Sequence, residues 1–88
     1  MRKIEEQMVA AVQAKKNWES GNTRVEKAGA FMDVYLHGNH IARVGWQAVP
    51  NPYTFRRWPT RTTVSRLCAL GIQASIRQGR AFIDGQMI

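Results

Sequence analysis

The chain has 88 residues, 44% of them hydrophobic and 22% charged, which fits one small globular domain and excludes wholesale disorder. Its single cysteine, Cys68, excludes an internal disulfide and a cysteine-based zinc site, and it fits a reducing compartment. No apolar run approaches the ~20 residues of a membrane span and the first residues lack a signal-peptide core, so we expect a soluble intracellular protein.

Charge is distributed unevenly along the chain. Thirteen Lys and Arg against six Asp and Glu give a net charge of +7, of which residues 1–33 contribute only +1. Residues 34–88 contribute +6, from seven arginines, no lysine and one acidic residue, Asp84. This pattern indicates either a solvated basic face or an acidic partner, with nucleic acid as the first candidate. Arginine without lysine favours bidentate contacts with phosphate or carboxylate groups.

The first predicted element is an amphipathic helix over residues 4–18. Ile4, Met8 and Val12 recur at a spacing of four residues, and Ala11 shares their face. Acidic residues in the first turn and lysines in the last turn complement the helix dipole. We expect this helix to pack on the core.

Three strands are predicted next, over residues 23–27, 31–37 and 40–46. Gly38-Asn39 predicts a type II′ turn between the second and the third, because glycine occupies the first central position. That turn sets the register and so assigns side chains to faces. It would pair Leu36 with Ile41 and Tyr35 with Ala42, placing Met32, Val34, Leu36 and Ile41 on one sheet face and Phe31, Tyr35, His37, His40, Val44 and Trp46 on the other.

The second half begins with a predicted loop at residues 50–52 and a short strand over residues 53–57. After a turn at Trp58-Pro59, the spacing predicts a helix over residues 62–70 with Thr60 or Thr62 as its N-cap. Its apolar face would carry Val64, Leu67, Cys68 and Gly71, so Cys68 is predicted to be a small buried residue.

Residues 72–77 and 80–83 predict a closing hairpin around Gln78-Gly79. The element order is therefore α-β-β-β-(β)-α-β-β over a single domain, residues 1–88. This order predicts an α+β fold, an antiparallel sheet with two short helices on one face. Two short helices cannot cover both faces of such a sheet, so the other face is either exposed or buried against a partner.

The chain offers little that suggests catalysis, a metal site or a cofactor. His37 and His40 flank the predicted turn, but no third ligand lies close in sequence, so a solvated pair is favoured over a metal site. There is no suggested nucleophile–base set, no paired carboxylates and no phosphate-binding glycine loop. We expect no enzymatic activity.

A binding function is better supported, through the arginines of the second half. We expect Arg61 and Arg66 on the exposed side of the second helix start, with Arg56 and Arg57 just upstream. Aromatic residues interleaved with arginine are typical of nucleic-acid surfaces and also of protein interfaces. The predicted nucleic-acid or acidic-partner site comprises Arg43, Arg56, Arg57, Arg61, Arg66, Arg77 and Arg80.

The alternative hypothesis is a protein-binding inhibitor that uses the aromatic sheet face. Its predicted interface comprises Tyr35, His37, His40 and Trp46. A homodimer that buries the uncovered sheet face is compatible with either hypothesis, and we expect no membrane partner.

Four stretches together resemble short proteins encoded in tailed-bacteriophage genomes. They are Asn17–Thr23 (NWESGNT), Val34–Asn39 with Ile41-Ala42, Trp58–Leu67 (WPTRTTVSRL) and Arg77–Gly85 (RQGRAFIDG). The resemblance covers nearly the whole chain. It implies an accessory protein in the cytoplasm of the host bacterium, acting in host takeover or counter-defence. Such a protein would bind nucleic acid, a nucleoprotein or an acidic host protein, the last in an anti-CRISPR type of role.

Overall fold

A computed structural model describes residues 2–88 and has an α+β fold. Five strands form an antiparallel sheet in sequence order, and three further strands form a second small sheet. The fold class is therefore as predicted, with one more helix and one more sheet. The elements are α1 (Lys3–Ala14), β1 (Trp18–Ser20), β2 (Thr23–Ala28), β3 (Phe31–Leu36), β4 (Asn39–Val44), β5 (Ala48–Pro50), α2 (Pro52–Arg57), α3 (Arg61–Ala69), β6 (Ala74–Arg77), β7 (Arg80–Ile83) and β8 (Gln86–Met87).

Helix α1 is shorter than predicted because Lys15 ends it in the left-handed conformation, at φ 56°. Trp18, predicted at the helix end, instead begins β1, which pairs with β2. Met8, Ala11 and Val12 are buried, as their spacing predicts, and α1 packs against β1 and β2. No helix within residues 2–88 combines the length and the apolar character needed to cross a membrane.

The predicted β3–β4 turn is wrong by one residue. His37 and Gly38 are the central residues, at φ 52° and 79°, a pair of positive φ values that matches the twist of hairpin strands. Tyr35 therefore lies opposite His40, and a register shift beside Val34 changes the pairing further along the hairpin. The predicted pairs Leu36–Ile41 and Tyr35–Ala42 are not formed. Val44 consequently lies opposite Met32 and packs against the core, not on the outer face.

The segment predicted as a strand over residues 53–57 is the short helix α2, so that prediction is wrong. Asn51 caps it, its side-chain Oδ1 accepting hydrogen bonds from the backbone N–H groups of Tyr53 (3.1 Å) and Thr54 (3.3 Å). Pro52 at the first turn favours the same start. Phe55 points into the core at 1% exposure, and α2 packs on both β4 and β7.

Helix α3 confirms the predicted helix, and of the two candidate caps it uses Thr60 and not Thr62. The Thr60 hydroxyl accepts a hydrogen bond from the Thr63 backbone N–H at 3.1 Å. Leu67 is buried as predicted. Cys68 is exposed, so its predicted burial is wrong, and Arg66 occupies a buried position on this helix. The predicted Gln78-Gly79 turn joins β6 to β7, and the helices and strands enclose one core that includes Met8, Val25, Val34, Ile41, Phe55, Leu67 and Ala81.

Candidate nucleic-acid interface

Arg43 is held by a carboxylate on the outer face of the five-stranded sheet. Its Nε lies 2.8 Å from Asp33 Oδ1 and its Nη2 lies 3.0 Å from Asp33 Oδ2, a bidentate pair. His40 Nε2 lies 3.0 Å from the same Oδ1. The hydrogen bonds from Arg43 hold the pKa of Asp33 below its ordinary value. Burial opposes this lowering of the pKa, and the contact with His40 adds to it. The positive charge of Arg43 is thus neutralised within the fold.

Arg66 is buried, and its predicted place on an exposed helix face is wrong. Its Nη1 donates to Glu5 Oε2 at 2.8 Å and its Nε donates to Thr23 Oγ1 at 3.0 Å. The Ser65 hydroxyl donates to the same Glu5 oxygen. Both side chains of the Arg66–Glu5 pair are 4% exposed. Arg66 is therefore a structural residue that ties α3 to α1 and β2, and no phosphate can reach it.

Glu5 itself is held in the ionised form. Burial alone would raise its pKa, but the hydrogen bonds from Ser65 and Arg66 outweigh burial and keep the pKa of Glu5 below its ordinary value. Sequence analysis missed this pair because Glu5 lies 61 residues before Arg66. The sequence near Glu5 gives one sign of the pair: this acidic residue directly follows Ile4, which belongs to the apolar face of α1.

The other five predicted arginines are exposed, and none of them forms an ion pair within residues 2–88. We call them the arginine surface: Arg56, Arg57, Arg61, Arg77 and Arg80. They belong to adjacent elements, because α2 packs on β7 and α3 packs on β6. Arg61 lines a shallow cavity with Ser75 and Ile76 of β6.

The hairpin end of the arginine surface places two like charges opposite each other. Arg77 and Arg80 are direct cross-strand partners at the β6–β7 turn. Like charges in this position repel and destabilise a hairpin. Arg80 has Met87 Sδ as its polar contact, at 3.7 Å, which offers no neutralising charge. An anion between the two guanidinium groups would relieve the repulsion.

Aromatic rings accompany three of the five arginines. The Cζ atom of Arg57 lies 4.9 Å from the centre of the Trp58 ring, and that of Arg56 lies 5.7 Å from the centre of the Tyr53 ring. Arg77 lies 5.2 Å from the ring centre of Phe82. Tyr53 is 76% exposed and Trp58 is 43% exposed, so two of these rings are open to solvent.

The residues of the predicted protein interface do not form one patch. Tyr35 and His40 lie together, with ring centres 5.4 Å apart, and Arg24 lies 4.4 Å above the Tyr35 ring. His37 is exposed in the β3–β4 turn. Trp46 follows the opposite end of β4 and is 98% exposed. The outer sheet face is therefore covered largely by its own ion pairs, the edge-on contact of Tyr35 with His40 and the cation over Tyr35.

His40 is engaged on both ring nitrogens. Its Nδ1 lies 3.0 Å from Asn51 Nδ2, and its Nε2 contacts Asp33. Within residues 2–88 no three metal-ligating side chains cluster. Of the two histidines considered for a metal site, His37 lies in the β3–β4 turn, whereas His40 belongs to a hydrogen-bond network with Asp33 and Asn51.

Comparison with known proteins places the chain among phage proteins. The family model described as Kyanoviridae Gp96 protein matches residues 1–87. No curated protein and no solved structure matches the chain. The family match confirms the resemblance to small tailed-bacteriophage proteins.

Proposed function

Because the chain belongs to the Kyanoviridae Gp96 protein family, a phage family, we propose that it is an accessory protein that binds nucleic acid through the arginine surface. It would act in the cytoplasm of the host bacterium, on free nucleic acid or on a nucleoprotein. The observation that carries the proposal is the contrast among the second-half arginines. Arg43 and Arg66 each have a carboxylate partner, and the five of the arginine surface have none within residues 2–88.

Phosphate suits this surface better than a single carboxylate does. Planar guanidinium groups bind phosphate oxygens in a bidentate manner, and five of them on adjacent elements match a ligand with repeated charges. The opposed pair Arg77 and Arg80 gains most from such a ligand, since an anion removes their repulsion. A polyanion would therefore be held by several guanidinium groups at once.

The test is a fluorescence anisotropy titration with labelled oligonucleotides of about 15 nucleotides, from about 50 to 200 mM salt. We expect affinity to fall steeply with salt, because phosphate contacts release counterions. The triple variant Arg56→Ala/Arg57→Ala/Arg61→Ala should weaken binding by at least about tenfold at the lowest salt.

The matched control removes the same charge elsewhere, in Lys15→Ala/Lys16→Ala/Lys27→Ala. These exposed lysines lie just after α1 and in β2, outside the elements that carry the arginine surface. We expect the control to bind nearly as well as the natural sequence. Absence of salt-sensitive binding, or equal losses in the two triple variants, would contradict the proposal.

A second candidate function is inhibition of a host protein or defence complex by direct contact, and one observation favours it. Trp46 is 98% exposed beside Phe31 and Val49, which are 43% and 57% exposed. Exposed tryptophan is enriched among the energetically dominant residues of protein interfaces. This function predicts that Trp46→Ala abolishes capture of a host protein that survives nuclease treatment, whereas the arginine triple variant leaves that capture intact.

A further inference from the structure

We infer that the arginine surface takes single-stranded nucleic acid in preference to a duplex, with unpaired bases stacking on Tyr53 and Trp58. This inference rests on the proposed function and names its ligand class. It follows from the aromatic rings that lie beside the arginines, which phosphate binding alone does not require.

Helix α2 presents aromatic and cationic groups on the same side. Phe55 is buried, and Tyr53, Arg56 and Arg57 are exposed. Residues three and four apart share a helix face, so Arg56 and Arg57 both lie on the face of Tyr53. The helix therefore offers a ring and two guanidinium groups to one ligand.

The exposure of Tyr53 is not explained by packing. Its ring remains 76% exposed although the guanidinium of Arg56 lies 5.7 Å from the ring centre. Trp58, at the end of the same helix, is 43% exposed with Arg57 at 4.9 Å. A cation on one side of a ring leaves the other side free for a base, and stacking on aromatic rings is how single strands are held without sequence recognition.

A duplex could use only part of this surface. Its bases are already paired and stacked, so exposed rings gain little from it, and its grooves are read by a helix or ribbon with a row of polar side chains. Helix α3 does not supply that row. Of its residues only Arg61 and Cys68 are exposed, while Thr63 and Arg66 are buried. The geometry thus favours a strand whose bases are free.

The experiment compares three variants on a single-stranded oligonucleotide and on a duplex of the same length, at matched salt. The natural sequence should bind the single strand at least about tenfold more tightly. Tyr53→Ala should weaken single-strand binding by about tenfold and leave duplex binding unchanged. Tyr53→Phe, which keeps the aromatic ring, should retain the affinity for the single strand. Trp46→Ala is the matched control, an exposed ring over which no arginine of residues 2–88 lies, and should change neither affinity.

A direct signal comes from Trp58 in a Trp18→Phe/Trp46→Phe background, where it is the remaining tryptophan of the sequence. Its fluorescence should be quenched by the single strand and not by the duplex. Circular dichroism confirms that each variant is folded. Equal affinity for the two ligands, or equal losses on both with Tyr53→Ala, would overturn the single-strand inference and leave nucleic-acid binding standing. Failure of the natural sequence to bind either ligand would overturn both.

Discussion

Two carboxylates, Glu5 and Asp33, decide which arginines of this protein are available to a ligand. Each is nearly buried and each is committed to one guanidinium group, Arg66 and Arg43 respectively. The two pairs differ in exposure, because the Arg43 side chain is 50% exposed whereas Arg66 is 4% exposed. The Glu5–Arg66 pair therefore belongs to the folding of the chain, since a buried charge without its partner is strongly unfavourable.

Arg66→Met should lower the free energy of unfolding by about 3 to 5 kcal/mol, because it leaves the Glu5 carboxylate buried without its cation. Urea denaturation measures this change. The double variant Glu5→Leu/Arg66→Met should recover a large part of the loss, since replacing both charges removes the unpaired group. Arg80→Met, at an exposed arginine, is the matched control and should change stability by less than about 0.5 kcal/mol. Equal losses in the single and double variants would show that the ion pair is not the cause.

Stability should fall in acid because the pKa values of Glu5 and Asp33 lie below their ordinary values in the folded protein. A lowered folded pKa means that the unfolded chain binds protons first, so this stabilisation is complete above the unfolded pKa, about 4. It is lost as the pH falls through the folded values. Urea midpoints between about pH 6 and pH 3 measure the decline.

The variant for this pH experiment is Asp33→Asn, which should show a shallower decline below about pH 4 than the natural sequence, at a lower absolute stability. Glu19→Gln is the matched control, because Glu19 is exposed and forms no ion pair within residues 2–88. It should follow the natural profile. An Asp33→Asn profile as steep as the natural one would contradict the assignment.

At the scale of elements, Asn51 joins the sheet to the helix that carries two of the five arginines of the arginine surface. Its Oδ1 accepts two backbone N–H groups of α2, which leaves Nδ2 to face His40. His40 Nδ1 must then accept, so the ring proton lies on Nε2 and is donated to Asp33. One side chain thus sets the start of α2 and the tautomer of His40.

Asn51→Ala should destabilise the protein by about 1 to 2 kcal/mol, because it removes the helix cap. Asn51→Asp keeps the oxygen acceptor and adds a favourable negative charge at the helix N-terminus, while a carboxylate replaces the amide donor to His40, so it should retain most of the stability. Thermal unfolding of both variants measures the difference. If the aspartate variant were as unstable as the alanine variant, the contact with His40 and not the cap would be the important interaction.

Local signals in the sequence predicted several elements correctly. The Thr60 cap, the apolar spacing around Leu67 and the Gln78-Gly79 turn each act within a few residues, and α3 and the β6–β7 hairpin form as predicted. Two local signals misled. Tyr53 and Phe55 alternate as in a strand, but the Asn51 cap and Pro52 favour a helix. The β3–β4 turn uses His37 at positive φ, a conformation that non-glycine residues seldom adopt.

Long-range pairing limited the prediction of the site. The absence of carboxylates over residues 34–83 suggested that the seven arginines have few internal partners, and all seven were assigned to the predicted site. Two partners, Glu5 and Asp33, come from the first half of the chain and meet Arg66 and Arg43 only in the fold. Charge counting by segment cannot detect such contacts, so it overestimated the free arginines by two.

At the scale of the whole molecule, the fold separates a half of nearly balanced charge from a cationic one. The five-stranded sheet carries the ion pairs Arg24–Glu26 and Arg43–Asp33 on its outer face. The lobe of α2, α3 and the second sheet carries the arginine surface and one acidic residue, Asp84. If the proposed function holds, such an asymmetry would orient the protein toward a polyanion before contact and speed association at low salt.

The salt dependence of binding should show how many arginines contact phosphate groups of the ligand. For single strands the slope of log affinity against log salt is about −0.7 per phosphate neutralised. Five phosphate contacts would therefore give a slope of about −3.5. Arg77→Gln/Arg80→Gln should reduce its magnitude by about 1.4 if the β6–β7 hairpin belongs to the surface. Arg43→Gln should leave the slope unchanged, because Asp33 already neutralises Arg43. A slope altered by Arg43→Gln but not by the hairpin variant would place the ligand on the outer face of the five-stranded sheet instead.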